Sequence, residues 1–366
     1  MLYFAWRRPR GAIVLLLILV SAALLAGCGG RVAETPATRV PVPEGVTEPY
    51  AVPAETTVPE STRSEKLKIL TTIRPAYDFT AKIAGDDAEV SVIIPAGVAA
   101  HGWEPGPKDM VALSGADVLI SIGAGMDAWS ETLAATRGED LIRLELARLV
   151  TLLPGDADHG HGEADGHGEA DGHEEHHDEH DHDAHTGHSH GAYDPHIWLD
   201  PQRGIEMARG IADLLGHADP VRREAYETRA AELVERLEEL DSTCRRKLEP
   251  HAGRAILLSH AAFGYLCDAY GLRQIALEGV FSESEPSPAR MAELVRLAAE
   301  ESIRVVYVEP LASPRTAEAL AAEIGGRTLI LDPYEGVTVE QEKAGDDYFT
   351  VMERNLEALL EGFGAD

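Results

Sequence analysis

Two stretches in which short apolar runs alternate with amphipathic segments flank one long run of helical periodicity, and this arrangement fixes the class of fold. In the first stretch, residues 66–73 (KLKILTTI), 89–94 (EVSVII), 117–122 (DVLISI) and 141–146 read as strands. Helical stretches at 76–83, 109–114 and 127–135 separate them. In the second stretch, 254–258, 275–277, 304–308 and 328–331 read as strands, with helices at 263–270, 288–300, 314–323 and 346–363. Strands that alternate with helices imply βαβ units and parallel sheets. Between the stretches, Ile205, Ala208, Ile211, Ala212 and Leu215 share one face. After Asp219-Pro220, a helix-start signal, the pattern resumes with Tyr226, Ala230, Leu233, Leu237 and Leu240. A helix of about 27 residues is roughly 40 Å long, which is a stiff spine. The expectation is an α/β protein of two lobes, an N-terminal lobe over 66–200 and a C-terminal lobe over 251–366. Each has a mainly parallel sheet flanked by helices. One long spine helix over 201–250 joins them, with a ligand site in the cleft between.

The first 65 residues have a different character. Arg7, Arg8 and Arg10 precede an almost wholly apolar run over 11–25, which ends at Leu25-Ala26-Gly27-Cys28. A basic segment, an apolar segment and a small-residue site describe a secretory signal peptide over 1–27. The apolar run is shorter than the roughly 20 residues needed to span a bilayer. L-A-G-C resembles the lipobox of bacterial lipoproteins, so Cys28 is the expected lipidation site and first mature residue. Residues 28–65, with Pro36, Pro41, Pro43, Pro49, Pro53 and Pro59, read as an extended tether. The mature chain is thus expected outside the cytoplasm, lipid-anchored to a bacterial membrane in a periplasm or at a cell surface.

Charge narrows the partners. The chain carries 63 Asp+Glu against 32 Lys+Arg, a net charge of −31. So acidic a surface repels phosphate backbones, which excludes nucleic acid as a partner, and favours cations. Histidine is concentrated: 11 of the 16 lie between His159 and His190, interleaved with carboxylates and with no apolar residue other than Ala. Segment 156–190 cannot bury a core and reads as a loop that collects divalent metals through neutral imidazole.

The other five histidines are His101, His196, His217, His251 and His260. His101 follows a strand and precedes a helix, in A-A-H-G-W-E-P. His196, in D-P-H-I-W-L-D-P, stands just before the spine. His260, in L-L-S-H-A-A-F, ends a strand. Ligands of open α/β sheets bind beyond the carboxyl ends of strands, so these three are the cleft candidates. His217 and His251 read as surface residues. Glu104, three residues from His101, is the one nearby candidate for a general base, and an enzyme is not expected. Cys244 and Cys267 are open between a disulfide and two buried thiols.

Five motifs carry a family resemblance over about 66–363. They are H-x-x-E-P with P-x-D-M (101–110), D-P-H-x-W-x-D-P (194–201), S-H-x-A-F-G-Y (259–265), E-P-S-P (285–288) and G-D-x-Y-x-x-x-M-x-x-N (345–355). The chain resembles the zinc/manganese solute receptors of metal ABC transporters. The resemblance implies two α/β lobes joined by a long helix. It implies Zn²⁺ as the transported ligand and an ABC permease and ATPase as partners, with the receptor itself a monomer. Its metal ligands fall on His101, His196, His260 and a carboxylate near the end of the last strand, for which Asp332 in L-I-L-D-P is the candidate. Manganese receptors of this kind have a carboxylate at the position of His260, so His260 points to zinc; three imidazoles and one carboxylate suit Zn²⁺. In one departure, Ala99-Ala100 precede His101 where some zinc receptors have an acid. The alternatives are a receptor for manganese or another divalent metal, a zinc buffer, or an adhesin lipoprotein.

Overall fold

The structure, a computed structural model, describes residues 65–155, 193–280 and 286–364. The expected signal peptide, lipidation site, tether and histidine-rich loop lie outside these residues. In the first lobe β1 (Leu67–Thr71), β2 (Ala88–Val92), β3 (Val118–Ser121) and β4 (Ile142–Glu145) pair in parallel, in the order β2-β1-β3-β4. Helices α1 (Arg74–Ala84), α2 (Pro107–Ser114) and α3 (Trp129–Ala135) connect them. Then come α4 (Pro201–Ala218) and α5 (Arg223–Leu248). The second lobe repeats the plan. Strands β5 (Ala255–His260), β6 (Arg273–Glu278), β7 (Val305–Val308) and β8 (Arg327–Ile330) lie parallel in the order β6-β5-β7-β8. Its helices are α6 (Gly264–Tyr270), α7 (Pro288–Glu300) and α8 (Arg315–Glu323), followed by α9 (Val339–Ala344) and α10 (Tyr348–Phe363). This is the two-sheet α/β architecture that the alternation predicts.

The helical run between the lobes is two helices rather than one. Pro220 lacks the amide proton a continuing helix needs. Asp219 leaves the helical region (φ −138°, ψ 80°), and its amide closes the last turn of α4 on Leu215 O. Helix α4 therefore doubles back along α5, and both pack on α1. Gly204 permits the close approach: a Cβ there would meet the Phe79 ring of α1 at 3.2 Å and Leu237 of α5 at 3.4 Å. Helix α5 alone is the spine. Its 26 residues span about 39 Å.

The spine grips each lobe in the same way. Arg229 donates to the carbonyls of Ile83 (2.6 Å) and Ala84 (2.8 Å) at the end of α1. Arg245 donates to Ala269 O near the end of α6 (3.2 Å). The terminal carbonyls of a helix have no partner within it, and a guanidinium satisfies them and complements the negative end of the dipole. Helices α1 and α6 hold equivalent places, each after the first strand of its lobe.

Strand side chains alternate between two faces, and here both faces are apolar, as sheets covered on both sides require. On β5, Ile256 and Leu258 join a core that runs through both lobes, whereas Leu257 joins an outer core with Leu294, Val306 and Leu320. On β1, Ile69 faces the shared core and Leu70 an outer one with Leu113, Leu119 and Leu133. The shared core includes Trp198, Tyr226, Leu237, Tyr265 and Tyr348. Cys244 and Cys267 are buried free thiols, not a disulfide. Burial pushes the Cys244 thiol up to about 11 and raises Cys267 as well. Among the described residues no helix is long and apolar enough to cross a membrane.

Leu237 is fully buried at the centre of the spine. Leu237→Ala is expected to lower unfolding free energy by about 2–5 kcal/mol, measured by urea denaturation of metal-free protein. A loss below about 1 kcal/mol would contradict a core shared by both lobes.

Candidate metal centre

Four loops at the carboxyl ends of strands meet between the sheets. His101 lies in the connection from β2 to α2, and His196 in the turn that enters α4. His260 is the last residue of β5, and Glu335 lies in the loop from β8 to α9. One ligand atom from each of these four residues falls within 4.8 Å of all the others. The imidazole centroids stand 5.6 Å apart for His101–His196, 4.9 Å for His101–His260 and 5.2 Å for His196–His260. Glu335 Oε1 lies 2.9 Å from His196 Nε2 and 3.3 Å from His101 Nε2. His217, exposed, and His251, stacked on Phe363, stand apart from this group.

The carboxylate in the group is Glu335 and not Asp332. Asp332 Oδ1 accepts the amide of Tyr334 (2.8 Å), and Oδ2 accepts Nε2 of Gln341 from α9 (2.6 Å). Its backbone is keyed to Asn355 of α10 through both N–H and C=O (2.8 and 2.7 Å). Asp332 thus builds the turn that presents Glu335. Burial pushes its carboxyl up to about 6 despite these donors. A parallel was present in the sequence. D-P also begins D-P-H, where Asp194 Oδ1 accepts the amide of His196 (2.9 Å). In both turns the Asp bonds the backbone two residues on; in the first that residue is His196 itself, and in the second the cleft residue Glu335 is one further on.

The Glu335 loop belongs to the second lobe but is hydrogen-bonded to the first. Trp198 Nε1 donates to Pro333 O (2.7 Å), the Arg74 amide to Glu335 O (3.4 Å) and the Gly97 amide to Val337 O (2.7 Å). Tyr334, fully buried, takes a left-handed backbone (φ 59°). That conformation costs a non-glycine residue on the order of 1–2 kcal/mol and persists only where its surroundings over-determine it. The reverse tie is Tyr265 of α6, whose hydroxyl donates to Asp194 O (2.7 Å) and accepts from the Leu153 amide (3.0 Å).

Carboxylates stand behind two of the imidazoles. Asp194 Oδ1 is 2.7 Å from His196 Nδ1, and Glu309 Oε1 is 2.8 Å from His260 Nδ1. A carboxylate accepts, so Nδ1 carries the proton and Nε2 is left for a cation. Burial opposes charge on His196, but Asp194 and then Glu335 outweigh it and push the imidazole up to about 10. His260 is also raised: burial opposes charge, and Glu309 outweighs it. Burial disfavours the Glu335 anion, yet His101 and His196 hold it well below the usual carboxylate range. Three imidazoles and one carboxylate form a borderline nitrogen–oxygen set of the kind that holds a four-coordinate divalent ion.

Known proteins resemble this chain in sequence and in fold. The family model described as zinc-uptake complex component A, periplasmic (ZnuA), matches residues 69–362. The zinc-binding protein AdcA of Streptococcus pyogenes serotype M3 is 37% identical over 304 residues, 80% of this chain and 55% of the relative. The high-affinity zinc uptake system protein ZnuA of Bacillus subtilis (strain 168) is 33% identical over 298 residues, 81% of this chain and 88% of the relative. Among solved structures, the Zn(II)-bound ZnuA-like domain of Streptococcus pneumoniae AdcA superposes with a TM-score of 0.65 at 33% identity, covering 81% of this chain and 99% of that domain. The chain spans about half the length of the streptococcal AdcA proteins it matches. Two lobes of the same strand order, with a histidine-rich group between them and a family match over most of the chain, lead to one conclusion: this protein belongs to the ZnuA family of zinc-uptake components.

Proposed function

We propose that this protein is an extracytoplasmic receptor that captures Zn²⁺ between its lobes and delivers it to an ABC permease and its ATPase. The observation that carries the reading is the convergence of His101, His196, His260 and Glu335 within 4.8 Å of one another. Zn²⁺ is the cargo, held by one nitrogen from each imidazole and by the Glu335 carboxylate. The hydrogen bonds that tie the Glu335 loop to the first lobe favour a preorganised site, which lowers the ordering cost of binding. Catalysis is no part of this reading. The chain's only H-E-x-x-H and G-x-S-x-G strings, at 173–177 and 187–191, lie in the histidine-rich segment, where biased composition generates them. Cys28 is the proposed lipid attachment, and segment 156–190 a collector of further zinc at lower affinity. Both lie outside the described residues.

Competitive chelator titration and metal analysis test the site. The parent is expected to hold one tight zinc. Glu335→Ala is expected to weaken that site on the order of 100-fold or more, beyond what loss of a supporting partner costs. Asp332→Asn, which keeps a turn-building oxygen, is expected to retain a tight site. The reverse ranking would restore Asp332 as the ligand. His260→Glu is expected to shift preference toward Mn²⁺ by hardening the donor set.

Proton linkage follows from the raised histidines. His196 in the metal-free fold titrates at about 10, above its ordinary value, so its proton stabilises that fold. This contribution is full below about pH 6.5 and is lost as pH rises through about 10. Zinc needs the neutral ring and must expel that proton. Zinc affinity is therefore expected to climb with pH from about 6 to 9. Calorimetry at pH 7 in buffers of differing ionisation enthalpy should show at least about one proton released per zinc. No release would contradict the charge assignment.

Cys28→Ser is expected to move the protein from the membrane fraction to the soluble fraction, since residues 29–65 offer no other apolar anchor. A variant that stays membrane-bound would show that something else holds it.

A further inference from the structure

His260 is framed by its own sheet. As the last residue of β5 it lies between two neighbouring strands of the same sheet. On one side its register partner is Glu278 of β6. On the other, β5 pairs with β7 through Leu257↔Val306 and Leu258↔Tyr307, and continuing that register by two residues sets Glu309 opposite His260. Glu309 Oε1 reaches His260 Nδ1 at 2.8 Å, with the Glu309 side chain only 15% exposed. His260 Nε2 lies 3.1 Å from the carbonyl of Val280.

The support for His196 is built differently. Asp194 is two residues away in the same turn, so one local hydrogen-bonded loop sets both groups. Glu309 is 49 residues from His260, lies one residue past the end of β7, and reaches it because β5 and β7 pair side by side. A ladder is a stiffer frame than a loop, and an outer carboxylate fixes the ring's orientation and tautomer while making its free nitrogen a better donor to metal. A carboxylate at the end of a fully buried strand is costly unless it has a partner, and His260 is that partner.

We propose that Glu309 is a positioning residue for the metal centre: it holds His260 through Nδ1 so that Nε2 is presented to the cation, and its negative charge strengthens that nitrogen as a ligand for zinc. The inference rests on the receptor reading above. With Nδ1 occupied, only Nε2 is open to metal, and a bound cation replaces the Val280 carbonyl as its neighbour. Without Glu309 the ring is free to turn, and the site keeps its donors but loses their geometry. Asp194 and Glu309 then form a matched pair, one from each lobe, each backing one imidazole.

The test uses the full mature chain, with Zn²⁺ affinity measured by chelator competition and Co²⁺ as the spectroscopic probe of ligand geometry. Glu309→Ala is expected to weaken zinc by roughly 10–100-fold and to alter the visible Co²⁺ absorption band. Glu309→Gln keeps an acceptor for Nδ1–H but not the charge, and is expected to fall between the parent and Glu309→Ala. In a His260→Ala background, the further change Glu309→Ala is expected to cost no more than about twofold, because the residue acts through that ring. A Glu309→Ala protein within about twofold of the parent, or one whose penalty persists undiminished without His260, overturns the proposal. Should Glu309→Ala fail to fold, Glu309→Gln at parental affinity and with the parental Co²⁺ band overturns it equally. A parent that binds no zinc removes the receptor reading itself, and so the two failures are told apart.

Discussion

The loop that carries Glu335 is the constraint on which the rest of the site depends. It leaves β8 of the second lobe, yet Trp198, the Arg74 amide and the Gly97 amide of the first lobe hold its carbonyls. The carboxylate at its tip lies against His196 and His101, both also from the first lobe. Three of the four converging side chains are thereby fastened to one body, and only His260 comes from the second sheet itself. A cation held by all four would join the two sheets through that single imidazole. This gives His260, and whatever orients it, an unusual share of the control over geometry.

The electrostatics follow from crowding two kinds of charge in a dry space. Glu335, Asp194 and Glu309 supply three carboxylates to three imidazoles. A buried anion with no partner is costly, and the imidazoles of His196 and His260, whose pKa values the carboxylates raise, supply compensation when no metal is present. A divalent cation replaces the protons of those rings with charge of the same sign, so the carboxylates stay neutralised in either state. Proton release and metal capture become two readings of one exchange. The acidic character of the whole chain works at longer range and raises cation concentration near the cleft.

The scaffold is a duplication in plan. Both sheets share one strand order, both bury apolar side chains on two faces, and α5 binds the terminal carbonyls of the equivalent helices α1 and α6 with an arginine each. A core continuous through both lobes, with Trp198, Tyr265 and Tyr348 inside it, resists independent movement of either sheet. The two D-P turns fit the same plan, each following the last strand of its lobe and each placing a cleft residue just beyond the Asp.

The sequence by itself determined the α/β class, the two sets of strands and the helical connection, and it singled out the three histidines that the fold brings together. These are local properties: hydrophobic period sets strand and helix, and a histidine at a strand's carboxyl end can be read from its neighbours. Even the break at Asp219-Pro220 was visible as a helix start, although only packing turned the run into two helices lying side by side. The tertiary structure decided the carboxylate. Asp332 and Glu335 are both carboxylates, three residues apart, and no periodicity distinguishes them. The choice rests on hydrogen bonds from Tyr334 and Gln341 that occupy the Asp332 oxygens, and on a left-handed residue that swings Glu335 toward the other lobe. Glu309 was hidden for a related reason. Its partner lies 49 residues earlier, and only the register of β5 against β7 brings the two together. Which groups converge and which support them is set by contacts distant in the chain, and such contacts exist only once both sheets have formed.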